Sequence, residues 1–336
     1  MLGELEVSMW HYAGFVACII FFLALDLGVF HKTAHVVKFK EAIGWTTLWV
    51  LLSLAFGTLI APAVVHGWER HDTVEFVTGY VIELSLSMDN VFVIALIFSY
   101  FRVPAEYQHR VLFWGILGAL LMRGVMIALG AAIIAKFAWT LYLFGAFLVF
   151  TGIKMLFTDD EGVDPEKNPV LRLARRMFPV ASEFHGQRFT IRSAGKLMLT
   201  PLALVLLMVE TTDLIFALDS IPAIFAITTK PFIVFTSNVF AILGLRSLYF
   251  VLAGAIGYFR YLKVGLSFVL VFIGVKMLLA PHGNVAEKLW FQIKISSNVS
   301  LIVVAAILLI SILASIIVGR REKKKLAPES QPPQAP

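Results

Sequence analysis

Residues 82–93 read IELSLSMDNVFV, a segment apolar enough for a membrane-crossing helix that nevertheless carries Glu83, Asp89 and Asn90 near its middle. Lipid offers such groups neither water nor counter-ions, and an acid at a helix centre costs about 2.5–3.5 kcal/mol even on insertion scales. Something must compensate them, and the rest of the chain can be read as a search for what does.

Of the 336 residues, 59% are hydrophobic and 15% charged, and the mean hydropathy is +0.86. A soluble domain has about 45–50% apolar and 25% charged residues, so this is a polytopic membrane protein. Windows of about 20 apolar residues mark nine spans, near 10–30, 42–65, 74–101, 111–134, 137–157, 197–227, 231–256, 262–280 and 297–318. An all-α fold follows, because lipid cannot satisfy open backbone donors and the segments lack the ten-residue alternation of barrel strands. The whole chain reads as one membrane domain. Two N-terminal helices (10–65) precede a first three-helix unit (74–157), a cytoplasmic loop (158–196), a second unit (197–280), a last helix (297–318) and a polar, disordered tail (319–336).

Orientation follows from the basic residues. With the C-terminus cytoplasmic, 19 of the 28 Lys and Arg fall on inner segments and five (Arg70, Lys136, Lys230, Lys288 and Lys294) on outer ones, a clear positive-inside bias. The net charge of +6 therefore reports topology rather than nucleic-acid binding. The N-terminus MLGELEVSMW has no basic residue ahead of the first apolar run, so no cleaved signal peptide is expected. A single cysteine, Cys18, excludes a disulfide framework. In the loop, LRLARRMF has the pattern of a short basic helix on an anionic leaflet, although a solvated linker is the more economical reading.

The two units echo one another. LYLFGAFLVFTGIKMLF (141–157) resembles GLSFVLVFIGVKMLL (265–279), and GALLMRGVMIALG (118–130) resembles AILGLRSLYFVLAG (241–254). The span with Glu83 and Asp89 corresponds to the one with Glu210, Asp213 and Asp219. Three spans is an odd number, so the second copy enters the membrane from the opposite face. Transporters built from such inverted repeats place substrate near the midplane, at the repeat interface and often on broken helices.

Six of the 22 acids fall inside spans and clear of their first residues: Asp26, Glu83, Asp89, Glu210, Asp213 and Asp219. Asp26 reads as interfacial. Against the other five stand Arg123 and Arg246, at matching positions in the two units, each expected to pair with a carboxylate of its own half. Three negative charges then remain for protons or a bound cation. Lys154 and Lys276, near span ends, are expected to snorkel. At about 100° per residue, regular helices would scatter these acids. Pro222 and Ser220 beside Asp219, and Asn90 beside Asp89, predict two discontinuous or distorted helices facing one polar cavity.

The donors are hard oxygens: the five carboxylates, with Asn90, Ser220, Thr211, Thr212 and Asn238 in support. Such a set suits Mg, Ca or Mn and argues against a dedicated copper or zinc site. Met88 and Met208 lie beside the acids. A thioether ligand would favour a transition metal, but methionine on a helix more often packs. No resident cofactor and no enzymatic function are expected, since no nucleophile or cofactor motif accompanies the acids.

The runs GYVIELSLSMDNVFV, VETTDLIFALDSIPAIFAITT and PFIVFTSNVFAILGLRSLYFVLAG resemble the TerC family of integral membrane proteins, and especially its Alx-type bacterial members. The resemblance extends over about residues 10–318. It implies a LysE-like repeated three-helix architecture, an association with manganese export and, through the family name, with tellurite resistance. It also points to Glu83, Asp89, Glu210, Asp213 and Asp219 as the metal-handling acids. The resulting expectation is a multi-pass carrier of the bacterial inner membrane that exports manganese by alternating access, with its N-terminus periplasmic and protons as coupling ion. The rival readings are a metal-binding scaffold in a stress response and a calcium or general cation exchanger.

Overall fold

In the computed structural model, residues 5–25, 39–157, 168–193, 195–253, 262–281, 292–293 and 295–326 are described, without the side chains of 319–326. Asp26, the acidic start of the loop and the end of the tail lie outside them. The helices are α1 (Met9–Leu25), α2 (Phe39–Ala55), α3 (Ala61–Val64), α4 (Arg70–Tyr100), α5 (Ala105–Lys136), α6 (Thr140–Phe157), α7 (Pro169–Met177), α8 (Pro201–Phe225), α9 (Pro231–Ala253), α10 (Leu262–Leu279) and α11 (Ser297–Leu326). Eight helical segments among the described residues are long and apolar enough to cross a membrane, and α1 supplies a shorter apolar helix at the first expected span. The all-α membrane fold stands.

Helix starts follow local chemistry. Proline occupies the first helical position of α7, α8 and α9, where its missing N–H is no loss. A capping box opens α4: Glu69 and Asp72 each accept from the other's backbone end of the first turn, with Glu69 N donating to Asp72 Oδ2 at 2.9 Å.

Two expectations about irregular backbone are corrected. Neither α4 nor α8 breaks: α4 runs unbroken through Asp89 and Asn90, and α8 carries Pro222 within it to Phe225. Pro222 has no N–H to give the carbonyl one turn before it, yet the helix continues past it for a last turn, with Ala226 N donating to Pro222 O at 3.1 Å. The distortion lies elsewhere, where α2 passes through a π-helical turn, Phe56–Ile60, into α3. Gly57 sits against the Phe76 ring of α4 with no room for a β-carbon, and its carbonyl accepts from the Thr73 hydroxyl at 3.0 Å. Pro62 just beyond removes an N–H from the ladder.

The loop also holds more structure than a linker. Asn168 caps α7, and strands β1 (Thr190–Ser193) and β2 (Lys196–Leu199) form an antiparallel hairpin, Thr190 opposite Leu199. The second unit accordingly begins at Pro201 rather than 197, and α11 extends to Leu326, into the stretch expected to be disordered.

At the centre of the bundle lies α9, with 94% of its apolar window buried against 17% for α11. In the interior α4 packs on α9, α5 on α8, α4 on α8 and α6 on α10, and both α2 and α5 also pack against α9. The α6–α10 seam is dry and close. A β-carbon on Gly145 would lie 3.0 Å from Gly274 O, and one on Gly152 would lie 2.9 Å from Ser267 O. Small residues that let backbones touch are the usual basis of helix association in lipid, where no hydrophobic force acts between helices.

Candidate functional site

Glu83 on α4 and Asp213 on α8 meet at Arg123 of α5. The guanidinium grips Asp213 with both edges of its fork, Nε to Oδ2 at 3.1 Å and Nη2 to Oδ1 at 2.8 Å, while Nη1 pairs with Glu83 Oε1. The Ser220 hydroxyl accepts from Nη1 at 3.3 Å, and Asn90 Nδ2 donates to Asp213 Oδ1 at 2.7 Å. All five side chains are buried, Glu83 completely.

Unbroken helices achieve this because the residues that share a face are seven apart. Seven steps of about 100° return to within about 20° of the starting direction. Glu83 therefore lines up with Asn90, and Asp213 with Ser220. The same spacing in both helices brings an acid and a neutral oxygen-bearing residue from each to one point.

Two carboxylates against one guanidinium leave a formal excess of one negative charge in a water-poor interior. Two acceptors there have no hydrogen-bond partner: Glu83 Oε2 and Asn90 Oδ1. A buried acceptor left unmatched is destabilising by about 1–3 kcal/mol, and more when charged. The set thus fits a small hard cation, or a proton, better than it fits nothing.

The remaining candidate residues are distributed around this centre. Glu210, one turn before Asp213 and its electrostatic neighbour, lies against Gly118 of α5, in the space a β-carbon there would need, and its Oε2 is buried without a partner. Asp89 and Asp219 are half-buried, and Asp219 faces Thr151 and Lys154 of α6. The expected convergence of five acids does not occur, because the helices that were to break stay regular. Among the described residues no three His, Cys, Asp or Glu side chains gather closely enough to hold a metal ion.

Of the supporting residues, Thr211 and Thr212 turn their hydroxyls to Leu207 O and Met208 O of their own helix. Met208 is buried and its sulfur accepts from Asn168, while Met88 packs half-buried between core clusters. Asn238, fully buried on α9, has neither side-chain atom hydrogen-bonded. Arg246 is buried with Nη1 3.2 Å from His109 Nε2.

A second polar cluster escaped the sequence reading. At the end of the bundle away from the hairpin, Asp72 is completely buried and pairs with Lys230, with His71 beside both. Glu75, inside an expected span but not counted with its acids, faces Lys276 of α10. Lys276 does not snorkel; only 6% of it is exposed. The spacing of Asp72 and Glu75, three apart on one helical face, was the available signal.

Comparison with known proteins places residues 68–323 in the integral membrane protein TerC family. An uncharacterized membrane protein of Myxococcus xanthus is 53% identical over 309 residues, 92% of this chain and 92% of that protein. A protein of Escherichia coli strain K12 named "Putative membrane-bound redox modulator Alx" is 44% identical over 319 residues, 94% of this chain and 96% of its own length. An uncharacterized membrane protein of Rickettsia felis is 39% identical over 303 residues, covering 90% and 96% respectively. No solved structure matches.

Proposed function

Given that the chain belongs to the TerC family of integral membrane proteins, we propose that it carries a divalent cation, manganese foremost, out of the cytoplasm across the bacterial inner membrane. One observation carries the reading: Glu83 Oε2 and Asn90 Oδ1 are buried acceptors without partners, in a site holding one more negative than positive charge. Hard oxygens of this kind suit Mn, Mg or Ca. In the arrangement described, Arg123 is the standing counter-cation. A metal ion entering between α4 and α8 takes oxygens that Arg123 now holds, so Arg123 must withdraw as cargo binds.

Alternating access would use the two units as inverted repeats, α4–α6 and α8–α10. The helix contacts support this, because exchanging α4 with α8, α5 with α9 and α6 with α10 turns the α4–α9 pair into α5–α8 and maps α4–α8, α5–α9 and α6–α10 each onto itself. Gly145 touching Gly274 and Gly152 touching Ser267 is the same reciprocity at residue level, since Gly152 and Gly274 match in sequence, as do Gly145 and Ser267. The basic-residue bias orients the hairpin and C-terminus to the cytoplasm. Because carboxylate ligands must be deprotonated, binding strengthens as pH rises, and protons are the natural coupling ion.

The test is manganese uptake into everted vesicles. Glu83→Gln and Asp213→Asn should each abolish it, with metal binding weakened by about a hundredfold or more; Asp89→Asn and Asp219→Asn should do less. Undiminished uptake in the first two variants rejects the site, and competition by calcium ranks the ions. A second reading, a metal-binding membrane scaffold, is favoured by Arg123 already bridging both carboxylates. It predicts binding by the wild type with no flux at all.

A further inference from the structure

The polar cluster at the end opposite the hairpin ties three helix ends together: the start of α4, the start of α9 and the end of α10. Lys230, just before α9, pairs with Asp72 of α4 and has Nζ 3.1 Å from His71 Nε2. An ammonium can only donate, so His71 Nε2 accepts. The proton of the neutral ring therefore sits on Nδ1, which faces Glu69 Oε2 at 3.3 Å. We infer that this is a proton-operated latch, in which protonation of His71 at Nε2 frees Lys230 from Asp72 and lets α9 part from α4.

The geometry sets the direction. A second proton on the ring places an N–H where Nε2 now accepts, so two positively charged donors face each other 3.1 Å apart. The protonated ring is also 3.3 Å from Asp72 Oδ1 and competes for it. Asp72 cannot follow Lys230 away, because its other oxygen is held by Glu69 N in the capping box and the residue is completely buried. Lys230 is 27% exposed and can turn to solvent. The partner that leaves is the lysine, and with it the start of α9.

The surrounding charges make the balance sensitive. Around His71 stand Glu69, Asp72 and Glu75 on its own helix and Lys230 from α9; Thr228, in the turn before α9, bonds Glu75, and Lys276 of α10 faces Glu75. Asp72 and Glu75 are matched by Lys230 and Lys276, and Glu69, the more exposed acid, faces Nδ1, so a proton added at Nε2 falls on the side where Lys230 already stands. Histidine is the side chain whose charge ordinarily changes between about pH 5 and 8. Asp72 lies 11 residues from Glu83 on one unbroken helix, about 16 Å along its axis. Opening here would expose the approach to the Glu83–Asp213 site from the opposite end. As the gate of a carrier the latch rests on the function proposed above; as a latch it does not.

Hydrogen exchange on the full chain in nanodiscs tests it, comparing about pH 7.5 with about pH 5.5 after correction for intrinsic rates. Amides of 70–76 and 230–236 should exchange about tenfold faster at the lower pH in the wild type, with α6 and α10 unchanged as the folding control. His71→Gln should remove the rise, and Lys230→Met should give fast exchange at both values. Should His71→Gln fail to fold, the pH-independent fast exchange of Lys230→Met decides. No rise in the wild type, an equal rise in His71→Gln, or slow exchange in Lys230→Met overturns the latch. Manganese flux reports separately: a switch that persists in a protein moving no metal leaves the latch standing and sinks the carrier, and flux with pH-independent exchange does the reverse.

Discussion

Arg123 and Arg246 occupy matching places in two similar segments, GALLMRGVMIALG and AILGLRSLYFVLAG, yet their surroundings differ. Arg123 is clasped by Glu83 and Asp213 from two different helices, while Arg246 lies against His109 near the hairpin end. A sequence echo therefore fixes where a guanidinium is placed along a helix, but not what it holds. Two long, flexible side chains at equivalent positions can reach different partners: Arg123 ties α4 to α8, and Arg246 meets a histidine of α5. At the α6–α10 seam, by contrast, two contacts mirror each other, Gly145 with Gly274 and Gly152 with Ser267.

That contrast can be broken most directly at the arginines. Arg123→Met leaves two buried carboxylates without their cation and should lower stability by about 3–5 kcal/mol. Denaturant titration in detergent measures the loss, and a change below about 1 kcal/mol would reject Arg123 as the counter-cation of this pair. Adding Glu83→Gln to Arg123→Met should recover part of the loss, because it removes a stranded charge.

The symmetric side of the comparison is sharpened at the α6–α10 seam. Gly145→Ala and Gly274→Ala each push a β-carbon toward the opposing backbone carbonyl and should lower stability by about 1–3 kcal/mol apiece, in similar amounts. Gly14→Ala on α1, with nothing within 4 Å of the new carbon, should stay within about 0.5 kcal/mol. Markedly unequal effects at Gly145 and Gly274 would argue against a reciprocal contact. Apart from that control, the smallest loss is expected at the π-helical turn. Thr73→Val removes the hydroxyl that caps Gly57 O and should lower the melting free energy by about 1 kcal/mol, with no counterpart in the second unit.

Much of this was legible beforehand. Hydropathy marked the segments that became α1, α2 with α3, α4 to α6 and α8 to α11, because each must satisfy its own backbone in lipid and so is helical. Glu83, Asp213, Arg123, Asn90 and Ser220 were all named as candidates, since a polar group in an apolar span stands out one residue at a time. Their grouping differs from the expectation: gathering all five acids required broken helices, and on regular ones Glu83 shares a face with Asn90 and Asp213 with Ser220, the neutral residues one position beyond Asp89 and Asp219. The α7 and hairpin segment was hidden in a polar loop with no period long enough to read, and Lys276 and Glu75 looked like ordinary span-end charges until packing buried one against the other.

What the sequence determined by itself was the solvent each segment must live in, the helical character of the apolar segments, and the list of charges that such a solvent makes expensive. Those are properties of single segments, set by local composition. Which carboxylate meets which arginine, and which acceptors are left unmatched, was decided only when α4, α5 and α8 packed together. Pairing energy depends on distances of a few ångströms between residues far apart in the chain, and only the packed structure sets those distances.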